Sequence, residues 1–111
     1  MLQHPLLLPH PLRKRARAAL LQLLAQAARL VRPGGRLVYA TCSLLTQENE
    51  SVAAAFDAEQ RQFAALPAAQ VLTGLKLARA HDLCTTDGRY LRLWPHLHDT
   101  DGFFAAVWQR R

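Results

Sequence analysis

Acidic side chains are absent from the first third of this 111-residue chain: residues 1–36 carry seven Lys/Arg and no Asp or Glu, whereas residues 37–111 carry seven Lys/Arg against eight acids. The formal net charge of +6 is therefore local, a basic front joined to a near-neutral body. Nucleic acid is the partner such an asymmetry suits. Cysteine is scarce, with only Cys42 and Cys84 and no C-x-x-C pair. That excludes a disulfide framework and a zinc box and fits a reducing, cytoplasmic compartment. No run approaches the roughly 18 uncharged apolar residues that a membrane span needs, so no membrane partner is expected. Glycine is thin as well, five residues without a G-x-G-x-x-G, so a dinucleotide-binding loop is missing. What is present is half apolar and a fifth charged in 12.4 kDa, a composition that suits one small core and not disorder, collagen or a coiled coil.

Pro5, Pro9 and Pro11 deny residues 1–12 a regular helix, because each lacks an N–H and biases its predecessor to extended geometry. The segment reads as an arm. From about Arg13 to Arg32 the apolar residues take a helical period, with Leu20, Leu24, Ala27 and Val31 on one face, joined by Leu23 and Leu30, and Gln22, Gln26 and Arg29 opposite. Arg29 and Arg32 fall in the predicted last turn, where the dipole favours cations, and Pro33-Gly34-Gly35 stops the helix. The stretch also imitates a secretory signal with an Ala25-Gln26-Ala27 site, but Gln22 and Gln26 make it amphipathic and cleavage is not expected. Arg36–Ala40 is a short apolar run without alternation, the pattern of a strand buried on both faces in a parallel sheet. A second helix is predicted with Thr46 as N-cap, Glu48 and Glu50 in its first turn, and Val52, Phe56, Glu59 and Phe63 along one face. Within residues 64–88, Val71–Ala78 fits a strand or a helical turn. Arg89–Trp94 and Phe103–Trp108, joined through Asp101-Gly102, read as an antiparallel hairpin at a sheet edge. Helix, strand, helix is the α/β signature.

In an open α/β sheet, reactive groups gather outside the carboxyl ends of the strands, which is where Thr41-Cys42-Ser43 falls. The N–H groups of a helix starting near Thr46 could lower the Cys42 thiol pKa and make it a nucleophile; the plainer reading is a small apolar side chain closing a strand. Turn hydrogen bonds are the plainer role for Thr41 and Ser43. His96-x-His98 with Asp99 and Asp101 matches no standard ligand spacing, and no metal is assigned. If the strand ending at Trp94 runs parallel to Leu37–Ala40, that loop shares an end of the sheet with Cys42, and His98 or Asp101 could shape a pocket there. The cluster Arg13, Lys14, Arg15 and Arg17 suits RNA phosphates or a merely solvated face. Trp94, Phe103, Phe104 and Trp108 are packing residues before they are stacking platforms. Cys84 receives no role.

The segment Val31-Arg32-Pro33-Gly34-Gly35-Arg36-Leu37-Val38-Tyr39-Ala40-Thr41-Cys42-Ser43-Leu44-Leu45, followed by Gln47-Glu48-Asn49-Glu50, resembles the motif that carries the catalytic cysteine of the Sun/RsmB-type RNA (cytosine-5) methyltransferases. Leu91-Arg92-Leu93-Trp94-Pro95-His96 with Thr100-Asp101-Gly102-Phe103-Phe104-Ala105-Ala106 resembles that family's closing hairpin. The resemblance covers residues 20–111. It implies the carboxyl-terminal portion of a Rossmann-like class I methyltransferase domain, helix-strand-helix plus a terminal antiparallel hairpin in an incomplete sheet, preceded by an arm at 1–19. It also implies formation of 5-methylcytosine in RNA, expected to be ribosomal, with S-adenosylmethionine as methyl donor and Cys42 as the nucleophile that adds to cytosine C6.

The sequence departs from that family in one respect. The glycine-rich cofactor turn, the ribose-binding acid, a further cofactor-side Asp and the Pro-Cys motif have no counterpart in the chain. The expectation is a piece that keeps the nucleophile without the cofactor pocket: an enzyme completed by a missing amino-terminal half or a second chain, or a non-catalytic fragment that binds RNA or a partner. The chain by itself is accordingly predicted to bind S-adenosylmethionine weakly or not at all. Titration calorimetry should give no binding isotherm at micromolar concentrations, and a micromolar dissociation constant would contradict the expectation.

Overall fold

The computed structural model of the chain describes residues 10–98 and 102–111. In chain order the elements are α1 (His10–Ala28), β1 (Arg36–Thr41), α2 (Glu50–Glu59), β2 (Phe63–Leu66), α3 (Ala68–Gly74), β3 (Leu91–Leu93), α4 (Pro95–His98) and β4 (Phe103–Arg110), with 3-10 turns at Thr46–Glu48 and Ala80–Leu83. The class is α/β, as expected.

Helix α1 takes in residues 10–12 of the proline-bearing segment, and so the second half of the arm bounded at 1–19. It starts at His10 and carries Pro11 in its first turn, where a missing N–H does no harm because first-turn amides have no intrahelical acceptor. The rest of the expected arm, residues 1–9, lies outside the described residues. The helix also ends earlier, at Ala28 and not Arg32. The amides of Arg29, Leu30 and Val31 bond the carbonyls of Gln26, Ala27 and Ala28, at 3.2, 3.0 and 3.2 Å. These tighter three-residue steps leave Arg29 and Arg32 beyond the last turn. The buried face is Leu24 and Ala28, with Leu20, Leu21 and Val31 packed against the core. Leu23 and Leu30, expected on that face, are exposed, because the four-residue step from Leu20 through Leu24 to Ala28 turns them outward.

The sheet is built on β4, not edged by it. β1 pairs antiparallel along one side of β4, from Arg36 opposite Gln109 to Thr41 opposite Phe104. On the other side β3 takes the first half of β4 (Leu91 opposite Ala105 to Leu93 opposite Phe103) and β2 the second half (Phe63 opposite Arg110 to Leu66 opposite Val107). Two expectations are thereby corrected: the terminal strand is central, and β1 has no parallel neighbour among the described strands. β1 and β3 nonetheless run in the same direction, since both are antiparallel to β4, so their carboxyl ends lie at the same end of the sheet. β1 is not buried on both faces either. Leu37 and Tyr39 point inward while Arg36, Val38 and Ala40 face out; apolar residues at two outward positions hide the alternation in the sequence.

The inward face meets α1 and α2 in a core of Leu24, Leu37, Tyr39, Val52, Phe56, Phe104 and Trp108 among others. Phe56 lies 4.6 Å from Trp108 and 5.4 Å from Phe63, ring centre to ring centre. Phe63, expected on the helix, belongs to β2. The chain turns between the two at Gln60, whose N–H closes on the Phe56 carbonyl at 2.8 Å. The Trp108 indole N–H donates to Asp57 Oδ1 at 2.7 Å, and Arg89 pairs with the other Asp57 oxygen. One carboxylate on α2 thus satisfies a fully buried indole and ties the segment ahead of β3 to the helix. The undecided stretch 71–78 enters α3 and leaves it through a turn, with Lys76 and Arg79 in the left-handed region.

Candidate active site

Thr41 ends β1 half-buried, Cys42 follows it exposed, and Ser43 is buried again. The exposed thiol is flanked on both sides by hydrogen bonds to one side chain. The Thr41 hydroxyl donates to Asn49 Oδ1 at 2.5 Å, and Asn49 Nδ2 donates to the Ser43 carbonyl at 2.8 Å. The Ser43 N–H closes on Thr41 Oγ1 at 3.2 Å, and Ser43 Oγ accepts the Leu45 N–H at 3.0 Å. The turn hydrogen bonds expected of Thr41 and Ser43 are therefore present. Asn49, at 0 % exposure, is the residue that sequence reasoning missed. Its signal was its place in the Gln47-Glu48-Asn49-Glu50 run that follows the cysteine segment, where it read as part of a helical first turn.

The helix start is corrected accordingly. Thr46 is not the N-cap of α2. A 3-10 turn covers Thr46–Glu48, and α2 begins at Glu50 with Asn49 at its N-cap position, making no side-chain cap bond. Asparagine is a favoured cap because its side chain can accept a first-turn N–H; here that side chain is turned to the Cys42 segment. The amides of Glu48 and Asn49 both donate to the Leu45 carbonyl at 3.1 Å, so they are engaged within the turn and not aimed at the thiol.

Two further bonds hold the same turn to the sheet. The Tyr39 hydroxyl donates to the Glu48 carbonyl at 2.5 Å. Arg92, 4 % exposed on β3, contacts both carboxylate oxygens of Glu50 through Nη2 at 2.5 Å. Its guanidinium carbon sits 4.8 Å from the Trp94 ring centre and 5.0 Å from that of Phe104. Among the described residues its buried Nε and Nη1 meet no hydrogen-bond acceptor, and the aromatic faces take up part of that charge. Beside Glu50 opens a cleft of about 440 Å³, lined also by Thr85, Thr86, Asp87 and Tyr90. Cys42 is not among its lining residues.

Gly102 sets the start of β4 against this site. A Cβ built there would fall 2.3 Å from Leu44 Cδ2, so the backbone of the 102 position packs on the residue after Ser43. Asp101 and Asp99 lie outside the described residues, as does the side chain of His96. His98 is committed elsewhere: its Nδ1 accepts the Trp94 N–H and its Nε2 donates to the Asp82 carbonyl, both at 2.9 Å. The structure thus uses His98 to close α4 and does not bring it to Cys42. Cys84 is half-buried, and burial pushes its thiol up, which disfavours the nucleophilic form. Lys14 and Arg15 are exposed and Arg17 half-exposed, so the described part of the basic cluster is available to solvent. Among the described residues no His/Cys/Asp/Glu group is placed to hold a metal, and no helix is long and apolar enough to cross a membrane.

The described residues around β1 do not fit S-adenosylmethionine. The adjacent glycines, Gly34 (φ +83°) and Gly35, precede β1, and their amides are already bonded, to the Arg110 carbonyl at 2.8 Å and the Arg32 carbonyl at 2.9 Å. They stitch the helix exit to the end of β4 and offer no open donors to a ligand. The segment leaving β1, Cys42–Leu45, contains no glycine and is closed by its own hydrogen bonds.

Residues 14–109 match the sequence family described as 16S rRNA methyltransferase RsmB/F. The chain is 40 % identical over 84 residues to the ribosomal RNA small subunit methyltransferase F of Aeromonas hydrophila subsp. hydrophila, a match covering 76 % of this chain and 17 % of that protein. Among solved structures it superposes on that of PH0851 with a TM-score of 0.74 at 35 % identity, covering 93 % of this chain and 21 % of the other. It superposes on a methyltransferase homolog protein from Pyrococcus horikoshii with a TM-score of 0.68 at 27 % identity, covering 94 % and 34 %. The chain therefore spans about a sixth of the length of its methyltransferase F relative and shares its α/β fold with part of larger Rossmann-like methyltransferases.

Tyr39 makes the turn's attachment measurable. Burial first, and the neighbouring Glu48 charge second, push its phenol from 10.0 up to about 12. A folded pKa above the unfolded one means that the neutral phenol stabilises the fold fully below pH 10, a contribution lost as pH rises through about 12. Tyr39→Phe is expected to lose about 1 kcal/mol at pH 7 by urea denaturation and to show a shallower decline in stability between pH 10 and 12 than the parent. Parallel pH curves would contradict this account.

Proposed function

The chain belongs to the 16S rRNA methyltransferase RsmB/F family, and from that premise we propose that it is the part of a ribosomal RNA (cytosine-5) methyltransferase that supplies the nucleophile, Cys42. The observation that carries the reading is the placement of Cys42: the one exposed residue of a hydrogen-bonded segment at the carboxyl end of β1. Residues 20–111 constitute the closing part of the catalytic domain in this reading, with α1 continuing across residue 19 without a break.

The chemistry asked of Cys42 is addition. Its thiolate forms an S–C6 bond to cytosine, and the displaced π pair makes C5 enamine-like and able to accept an electrophilic methyl group. At the end of the cycle the C5 proton leaves, its bonding pair restores the C5–C6 double bond, and the thiolate is expelled from C6. S-adenosylmethionine is the donor of the family reading. The described residues offer it no cradle, so in this reading its binding falls to an amino-terminal half or partner polypeptide, and no step here is routed through it. Exposed Lys14 and Arg15 are suited to RNA phosphates, and two free thiols suit a reducing cytoplasm.

The reading is tested by trapping. RNA containing 5-fluorocytidine cannot lose a proton from C5, so a methylated adduct stays on the enzyme. With the cofactor and the cofactor-binding region supplied as a second polypeptide, the parent chain should form a denaturation-resistant RNA adduct and Cys42→Ala should form none. An adduct that survives Cys42→Ala contradicts the assignment. Absence of any adduct with the parent would favour a non-catalytic RNA-binding piece.

A further inference from the structure

We infer that Asn49 is a positioning residue for Cys42: its buried amide holds the backbone on both sides of the thiol and so fixes where the nucleophile stands. The inference rests on the reading of Cys42 as nucleophile and adds a second residue to that site.

Asn49 occupies the N-cap position of α2, and its side chain makes no cap bond. A free asparagine side chain there would satisfy a helix N–H and contribute about 1 kcal/mol. Instead both ends of the amide point back to the cysteine segment, Oδ1 accepting from the Thr41 hydroxyl at 2.5 Å and Nδ2 donating to the Ser43 carbonyl at 2.8 Å. The chain between those anchors contains only Cys42. The Thr41 hydroxyl is used twice, since its oxygen also accepts the Ser43 N–H at 3.2 Å, so one buried amide and one hydroxyl define the segment's path. Asn49 is in turn fixed from outside. Its neighbours Glu48 and Glu50 are tied to the sheet through the Tyr39 hydroxyl and Arg92, and its own N–H is bonded to the Leu45 and Thr46 carbonyls at 3.1 Å.

Neither partner is chemically interchangeable. Aspartate would keep the acceptor for Thr41 but set a carboxylate oxygen against the Ser43 carbonyl. Leucine, of similar shape, would leave the Thr41 hydroxyl proton without its acceptor and the Ser43 carbonyl without its donor. A displacement of about 1 Å at a reacting group can cost on the order of a hundredfold in rate, whereas losing one such bond costs stability only modestly.

The test uses a Cys84→Ser parent, so that Cys42 is the only thiol, with Asn49→Ala, Thr41→Val and the double variant. Two readouts are taken: amide hydrogen exchange along the chain, and the rate of adduct formation on 5-fluorocytidine RNA in the reconstituted mixture used for Cys42. In the single variants, exchange at Ser43 and Leu45 should rise about tenfold or more with protection across β4 unchanged. Adduct formation should slow by roughly 10- to 100-fold without a change in RNA affinity. Alkylation of Cys42 by iodoacetamide should stay within about threefold, showing a thiol still accessible. Because the two side chains share one contact and each makes one of its own, the double variant should lose less than the product of the two single losses.

Unchanged adduct rates in both singles would overturn the inference, as would losses that follow a drop in β4 protection, or additive effects in the double. Thr41→Val, nearly isosteric and well suited to a strand, keeps the test open if Asn49→Ala does not fold. If the parent forms no adduct, the assignment of Cys42 fails separately. The exchange data then decide whether Asn49 holds the segment: local loss of protection supports it, and none overturns it.

Discussion

The turn Glu48-Asn49-Glu50 is fastened to the sheet at three consecutive residues, and the arrangement of the candidate site depends on that fastening. A backbone carbonyl receives the Tyr39 hydroxyl, a side-chain amide receives and donates to the Thr41–Ser43 segment, and a carboxylate receives Arg92. Each bond crosses from the start of α2 to a different part of the sheet, β1, the end of β1, and β3. The bonds to the Glu48 and Ser43 carbonyls are buried and those at Thr41 and Arg92 partly buried, where a hydrogen bond is stronger and an unpaired group is costlier than at the surface. The result is that the one residue with its side chain left outside this net, Cys42, is presented at the carboxyl end of β1 with little freedom of backbone.

The rest of the molecule keeps that turn in place. β4 is the strand to which the other three are bonded, and its inward residues Phe104, Ala106 and Trp108 form the floor on which α2 lies. Trp108 is tied through its indole N–H to Asp57 in the last turn of α2, so the helix is anchored near its carboxyl end as well as at its start. The terminal strand, which might have been expendable at an edge, is therefore the element on which register and site geometry both depend. Gly102 lets that strand begin directly against Leu44, the second residue after Cys42.

Much of this was legible in the residues. Pro33-Gly34-Gly35 between an amphipathic stretch and Arg36–Ala40 marked a helix stop and a strand, and the position of Cys42 at that strand's end followed. The shared direction of β1 and β3 entered only as a condition, and it is the pairing of both with β4 that sets it. What was not legible depends on contacts between distant residues. Val38 and Ala40 are apolar but face outward, so periodicity could not show that β1 is covered on one side only. The helix start at Thr46 looked satisfactory as a local cap. It is displaced to Glu50 because Asn49 finds better partners across the turn at Thr41 and Ser43. Phe63 continued the spacing of Val52 and Phe56, yet its place is β2, since pairing with the end of β4 sets its burial. Arg92, read as one residue of a strand motif, is buried by virtue of Glu50 more than forty positions away.

The account's central claim is that the thiol held by Asn49 is the one that meets the base. It is tested most directly by peptide-mapping mass spectrometry of the adduct formed by the unmutated chain on 5-fluorocytidine RNA, with cofactor and cofactor-binding region supplied. The account predicts the nucleotide mass on the peptide containing Cys42 and an unmodified Cys84. A nucleotide found on Cys84, or on a residue of the supplied polypeptide while Cys42 remains free, would contradict it.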